Sequence, residues 1–439
     1  MDITNKNILI VGLGRSGAAV SRFLKNRGAI VTVTDMAGEE KLESYTPPLR
    51  EMGISMELGQ HKIETFESAD LIIISPGVPH TILPIKKAGL KGIPVWGEIE
   101  LASRFIKEPI VAVTGTNGKT TTTTLLGKML KKSGLTVFVG GNIGNPLIDY
   151  VNKEEKVDIL IVEVSSFQLD TIDTFRPKIG ILLNITEDHL DRYPDFAAYA
   201  KSKIRIFENQ QESDTAIYNA SDPYICSLCK NIKARKLPFN NNTINNAEIE
   251  KNLKSLDFAG MNLPGKHNIE NAYAASLAAL STGGTVKGVQ SALNNFKGLP
   301  HRLEYVATIN NVNFFDDSKA TNVDAVARAL ETFNKPVILI MGGRDKGSNF
   351  HVLNDLIRQH TKKIIAMGEA KEDIKSALGH ITSIKIADSM DDAVSSAYHA
   401  ASPGDVVLLS PACASFDMYT SYTHRGEDFC KVVNELNKQ

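Results

Sequence analysis

Ile110-Val111-Ala112-Val113-Thr114-Gly115-Thr116-Asn117-Gly118-Lys119-Thr120-Thr121 is the stretch that decides the fold. Its first five residues are apolar or β-branched and suit a buried strand; the glycine loop ends that strand, and the run from Thr121 predicts a helix. A strand, a short glycine loop and a helix in succession make backbone N–H groups converge on phosphates. Lys119 adds a point charge and the Thr120 hydroxyl can reach Mg²⁺, so ATP is the ligand that Gly115, Thr116, Asn117, Gly118, Lys119, Thr120 and Thr121 suit. The usual P-loop has a glycine five residues before Gly118; Val113 stands there, which makes this a shorter variant.

On either side, β-rich runs of four to eight residues alternate with helical-period segments, the pattern of parallel sheets covered by helices. Strands are expected at Ile8 to Val11, Ile30 to Thr34 and Leu71 to Ile74, then a helical stretch from about Trp96 to Phe105. Further strands are expected at Val137 to Gly140, Ile159 to Val164 and Ile179 to Leu183. Beyond a hairpin through Asn310-Asn311 come Val337 to Met341, Ile364 to Met367, Ile384 to Ala387 and Val406 to Leu409. Breaks at Lys107-Glu108-Pro109 and Gly298-Leu299-Pro300 divide the 439 residues into three expected domains, 1–108, 109–299 and 300–439. The fold class is therefore α/β: an N-terminal Rossmann-like nucleotide-binding fold, a central P-loop ATPase-like, mostly parallel sheet, and a C-terminal Rossmann-like fold.

Gly12-Leu13-Gly14-Arg15-Ser16-Gly17 also follows a strand and opens a helix, with Asp35 closing the next strand. Alone it matches the dinucleotide fingerprint and fits a nucleotide or nucleotide-sugar. A hydride-transfer enzyme needs only this loop. Two nucleotide-type loops on separate domains suggest one nucleotide-linked substrate and one ATP. Lys plus Arg number 49 against 50 Asp plus Glu, and no basic run appears, so small molecules are expected rather than nucleic acid or an anionic membrane. No apolar stretch reaches spanning length and no signal-like segment opens the chain, so a cytoplasmic protein is expected. Four cysteines are too few for a disulfide framework; Cys226 and Cys229 read as ordinary half-buried thiols, Cys413 and Cys430 as packing residues.

Gly115 to Thr120 (GTNGKT), Glu163 to Gln168 (EVSSFQ), Asn184 to His189 (NITEDH), Pro264 to Asn271 (PGKHNIEN), Leu299 to Arg302 (LPHR), Asp317 to Asn322 (DSKATN) and Ser410 to Asp417 (SPACASFD) occur in the order found in Mur ligases. The whole chain resembles that family, and the last three segments resemble its D-glutamate-adding branch. The resemblance implies ATP-dependent amide-bond formation in peptidoglycan synthesis by a cytoplasmic, monomeric enzyme. Its small-molecule substrates would be UDP-N-acetylmuramoyl-L-alanine, D-glutamate and ATP, with two Mg²⁺ ions. Phosphoryl transfer to a carboxylate creates a leaving group that an amine can displace, and it asks the protein chiefly for positioning and charge neutralisation.

By the same resemblance, Lys119, Glu163, His189 and Lys203 are the catalytic residues. Thr120, Glu163 and His189 would hold metal, joined by Lys203 if it is carbamylated, a change that requires a partly desolvated neutral amine. Asn268, Asn271, Arg302 and Asp317 complete the implied ATP set, and the third domain is expected to close before chemistry. Arg15, Ser16, Asp35, Ser75, Gly77, Asn142, Ser165 and Gln168 fall on the loops for the UDP-linked substrate. Lys319, Thr321, Lys346, Ser415, Phe416 and Tyr422 match the amino-acid positions, where cations suit two carboxylates. Three readings stay open beside this one: another amino-acid-adding Mur ligase or a folylpolyglutamate synthetase, an NAD-dependent oxidoreductase using the first loop, and a catalytically silent nucleotide-binding regulator.

Overall fold

Seventeen strands form three sheets in the computed structural model, which describes residues 1–153, 155–240, 246–261, 263 and 265–436. Pro264, the first residue of the PGKHNIEN segment, lies outside the described residues. The first sheet contains β1 (Asn7–Val11), β2 (Ile30–Asp35), β3 (Ser55–Leu58), β4 (Leu71–Ile74) and β5 (Val95–Gly97), all parallel in the order β3-β2-β1-β4-β5. The second contains β6 (Ile110–Thr114), β7 (Val137–Gly141), β8 (Ile159–Glu163), β9 (Ile179–Leu182), β10 (Thr215–Asn219) and β11 (Arg235–Phe239). These too are parallel, in the order β11-β10-β9-β6-β8-β7. In the third, β12 (Glu304–Ile309) and β13 (Val312–Asp316) make an antiparallel hairpin, and β14 (Val337–Gly342), β15 (Thr361–Met367), β16 (Ile384–Ile386) and β17 (Val406–Leu409) continue it in parallel, ordered β12-β13-β17-β14-β15-β16.

Burial explains which strands the sequence announces. β6, β8, β9, β14 and β17 are buried along their whole length, and each is a run of apolar or β-branched residues with at most one polar or glycine interruption. The turn through Asn310 and Asn311, both at positive φ, closes the expected hairpin. The Trp96 to Phe105 segment differs from its expected helix: Trp96 lies in β5, and the helix is Glu98–Ser103.

The chain divides into two compact units, Met1–Asn184 with Ala200–Asp257 and Ala272–Leu293, and Ile185–Tyr199 with Phe258–Asn271 and Asn294–Gln439. The first two sheets belong to the first unit and the third sheet to the second. In each sheet the strand order reverses beside a central strand: β1 between β2 and β4, β6 between β8 and β9, and β14 between β15 and β17. The loops leaving such strands open crevices at the sheet's carboxyl edge, where ligands of open α/β sheets bind.

Candidate active site

In the first unit, the loop after β6 runs into the helix Lys119–Lys132, whose N-cap Gly118 takes φ 83°, a conformation that favours glycine. Asn184, immediately after β9, fastens this loop from the side. Its Oδ1 accepts from the Asn117 N–H at 2.8 Å, its Nδ2 donates to the Asn117 carbonyl at 3.1 Å, and its carbonyl accepts from the Thr116 N–H at 3.0 Å. The Lys119 ammonium folds over the loop, donating to the Gly115 and Thr116 carbonyls at 2.8 Å each. Lys203, on the helix Phe196–Ile204, is buried and donates from Nζ to the same Gly115 carbonyl at 2.8 Å. Two lysines thus converge on one loop carbonyl.

Glu163 ends β8, the strand beside β6. Only 2% of it is exposed. Oε1 accepts from Asn142 Nδ2 at 2.8 Å, while the buried Oε2 has no hydrogen-bond partner. An unpaired carboxylate oxygen in a dry site is costly, and a hard divalent cation is the ligand that oxygen chemistry suits. Glu163, with the Thr120 hydroxyl at the start of the neighbouring helix, therefore fits Mg²⁺ by donor type.

The first glycine loop is built to bring a helix onto its strand. A Cβ at Gly17 would stand 2.1 Å from the Gly12 carbonyl oxygen, so no other residue permits that approach. Asp35 works on the loop itself, Oδ2 accepting from the Leu13 N–H at 2.6 Å and Oδ1 from the Ala37 N–H at 2.7 Å. Ser75 Oγ donates to the Gly12 carbonyl at 2.8 Å. Arg15 and Ser16 open the helix Arg15–Asn26, and Gly77 lies in the turn that follows β4. Ser165 and Gln168 form a capping box on the short helix Ser166–Leu169, so their side chains serve one another.

In the second unit, His189 sits at φ 58°, with Nε2 3.7 Å from Asp188 Oδ2. Burial alone would raise the Asp188 pKa; the Lys346 ammonium, His189 and the Asn322 amide outweigh it and hold the carboxyl down at about 2. Lys346 Nζ donates to Asp188 Oδ1 and Asn322 Nδ2 to Oδ2, both at 3.0 Å. Asp188, His189 and Lys346 border a cavity of about 330 Å³ that is also lined by Val323, Ala327 and residues 347–349. Lys319 Nζ lies 3.8 Å from the centre of the Tyr422 ring, Ser415 is buried and Phe416 is exposed. Asp317 is buried, which pushes its carboxyl up to about 7 even though Ser410 Oγ donates to Oδ2 at 3.0 Å and the Leu303 N–H to Oδ1 at 3.2 Å. Asn268 and Asn271 lie at helical spacing on the Lys266–Ser281 helix, both buried. Arg302 contributes to keeping the half-buried His267 neutral, after desolvation and Arg328; that imidazole falls to about 4.

Sequence reasoning quoted Asn184 and Asp188 inside a motif but gave neither a role. It missed Arg425 altogether. This buried guanidinium donates to the Ser318 carbonyl (2.8 Å), Ser318 Oγ (3.0 Å) and the Cys413 carbonyl (3.1 Å), tying together loops that follow β13 and β17.

Three family descriptions match successive stretches: the Mur ligase MurD-like N-terminal domain over residues 6–97, the Mur ligase middle domain over 113–279 and the Mur ligase glutamate ligase domain over 301–413. A UDP-N-acetylmuramoylalanine–D-glutamate ligase of Desulfosudis oleivorans is 52% identical, across 100% of this chain and 98% of its own. The chain belongs to the Mur ligase family. A second relative of the ligase, from Desulfatibacillum aliphaticivorans and with the same name, is 51% identical over 99% of this chain and 100% of its own. Among solved structures, the MurF ligase of Thermotoga maritima in complex with ADP aligns with a TM-score of 0.62 at 14% identity, covering 100% of this chain and 96% of that one. The UDP-N-acetylmuramate-alanine ligase MurC of the same organism gives 0.59 at 20%, covering 98% and 100%. At such identities the likeness concerns the fold, which is the three-sheet α/β arrangement of Mur ligases. Membership in a ligase family sets aside the oxidoreductase and the silent regulator. Among the described residues, no helix is long and apolar enough to cross a membrane.

Proposed function

We propose that the ligase joins D-glutamate to UDP-N-acetylmuramoyl-L-alanine at the expense of ATP, passing through an acyl-phosphate. The observation that carries the choice of substrates is full-length identity of 52% and 51% to relatives bearing that activity in their names. The ATP γ-phosphoryl group moves to the acceptor carboxylate, releasing ADP. The amine of D-glutamate then attacks the carbonyl carbon, and the tetrahedral intermediate collapses by expelling phosphate. Lys119 leaves its carbonyl partners to neutralise the phosphates, and the loop amides steadied by Asn184 orient them. Glu163 Oε2 and Thr120 would hold one Mg²⁺, and by the motif resemblance His189 would serve a second; such ions offset charge on the transferring phosphoryl group when bound.

Burial of Lys203 supports its assignment as the carbamylated lysine, because desolvation favours the neutral amine that reacts with carbon dioxide. Arg15, Ser16, Asp35, Ser75, Gly77 and Asn142 are assigned to the UDP-linked acceptor, with Asp35 and Ser75 also shaping the loop. Ser165 and Gln168 act there through the turn they cap. For Asn268, Asn271, Arg302 and Asp317 the support at ATP is the motif resemblance. For Lys319, Thr321, Lys346, Ser415, Phe416 and Tyr422 at D-glutamate, it is that resemblance plus the two cations, which match its two carboxylates. The acyl-phosphate is tested by labelling the acceptor carboxylate with ¹⁸O: one labelled oxygen should appear in the phosphate released. Unlabelled phosphate would refute the route.

A further inference from the structure

The segment between β7 and the Ile148–Val151 helix touches both Arg15, at the first glycine loop, and Glu163, at the end of β8. At its start, the Asn142 N–H donates to the Glu163 carbonyl at 2.9 Å and Asn142 Nδ2 to Glu163 Oε1 at 2.8 Å. At its end, Arg15 Nη2 donates to Asn145 Oδ1 at 2.6 Å and the Ile148 N–H to Glu98 Oε1 at 2.6 Å. Between these ends the Asn145 carbonyl accepts from the Gly141 N–H at 2.9 Å, closing a tight loop. The base of the loop is tightly packed: a Cβ at Gly140 would come within 2.5 Å of the Asn145 carbonyl oxygen, and one at Gly141 within 2.5 Å of the Glu163 carbonyl oxygen. A displacement of the Asn145 backbone is therefore felt at Gly141, the residue next to Asn142.

We infer that Asn145 is a positioning residue that couples occupation of the first glycine loop to cation binding at Glu163. An acceptor that engages the Arg15 loop fixes the guanidinium, which fixes Asn145 and Asn142 and keeps Glu163 Oε1 occupied, so that the buried Oε2 is left for the cation. By linkage the cation must tighten the acceptor by the same factor. This rests on the proposed assignment of the two loops to acceptor and ATP. The Asn145 backbone contact survives truncation of the side chain, so Asn145→Ala removes the Arg15 link alone, and Asn145→Asp keeps an oxygen for Arg15 to donate to.

The test is Mn²⁺ titration by electron paramagnetic resonance, with a non-hydrolysable ATP analogue present, with and without UDP-N-acetylmuramoyl-L-alanine. In the unaltered enzyme and in Asn145→Asp the acceptor should tighten Mn²⁺ by about fivefold or more. In Asn145→Ala that factor should fall to near one with thermal unfolding unchanged; a residue of purely structural importance would shift both affinities and leave their ratio alone. Coupling retained in Asn145→Ala, or absent from the unaltered enzyme, overturns the inference. Undiminished Mn²⁺ binding in Glu163→Gln would overturn the metal assignment beneath it, a separate failure seen without any Asn145 variant.

Discussion

Replacing Asp188 by Asn leaves the Lys346 ammonium facing a neutral amide in a site where only 8% of the Asp188 side chain and 18% of the Lys346 side chain are exposed. The carboxyl falls from 3.8 to about 2 on folding, the Lys346 and His189 charges and the Asn322 amide overcoming the cost of burial. At about 1.4 kcal/mol per unit, that is about 2 kcal/mol of stability from ionised Asp188. Because the folded pKa is the lower one, this stability is present above pH 3.8 and disappears as pH falls through about 2. At neutral pH, scanning calorimetry of Asp188→Asn should show the second unit's transition lowered by roughly 4–8 °C. Converting Lys346 to Met in the same chain should recover part of the loss, since the unpaired charge is then gone. The gap between the unaltered enzyme and Asp188→Asn should narrow as the pH is taken from 4 towards 2. A full-sized gap at the acid end, or double-variant losses that simply add, would refute the ion-pair account.

Lys119→Ala should lower turnover by about a thousandfold or more, as loss of a charge stabilising phosphoryl transfer implies, while calorimetric binding of the UDP-linked substrate stays unchanged. Glu98 carries the opposite sign to Asp188: burial pushes its carboxyl from 4.5 up to about 7, so the folded enzyme loses stability as pH rises between those values. Glu98→Gln should therefore melt higher than the unaltered enzyme at pH 8 and alike at pH 4.5, read by thermal scans at both. Arg425→Met removes three hydrogen bonds from the loops bearing Ser318 and Cys413; it should raise the KM for the amino acid about tenfold or more, on the scale of a lost charged hydrogen bond, with the KM for ATP nearly unmoved.

Strands buried on both faces were legible because burial forces a continuous apolar run, as in Ile110 to Thr114. The edge strands β3, β5 and β11 were not: β11 carries Arg235, Lys236 and Pro238, residues that an edge tolerates and a central strand does not. β10 escaped because its apolar centre of Ala216 to Tyr218 is short and its ends, Thr215 and Asn219, are polar. The phosphate loop was readable because its chemistry is local, all within six consecutive residues. Arg425 was not, because its partner Ser318 lies 107 residues away and only the folded third sheet brings the two together. The opposed environments of the two Glu163 oxygens were equally invisible, since one depends on Asn142, which only the pairing of β7 with β8 brings alongside.

The central claim is tested most directly by measuring phosphate release with ATP, UDP-N-acetylmuramoyl-L-alanine and, in turn, D-glutamate, L-glutamate, L-lysine and diaminopimelate. Release that requires D-glutamate, matched mole for mole by ADP and amide product, is the predicted result; release that depends on one of the other amino acids contradicts it.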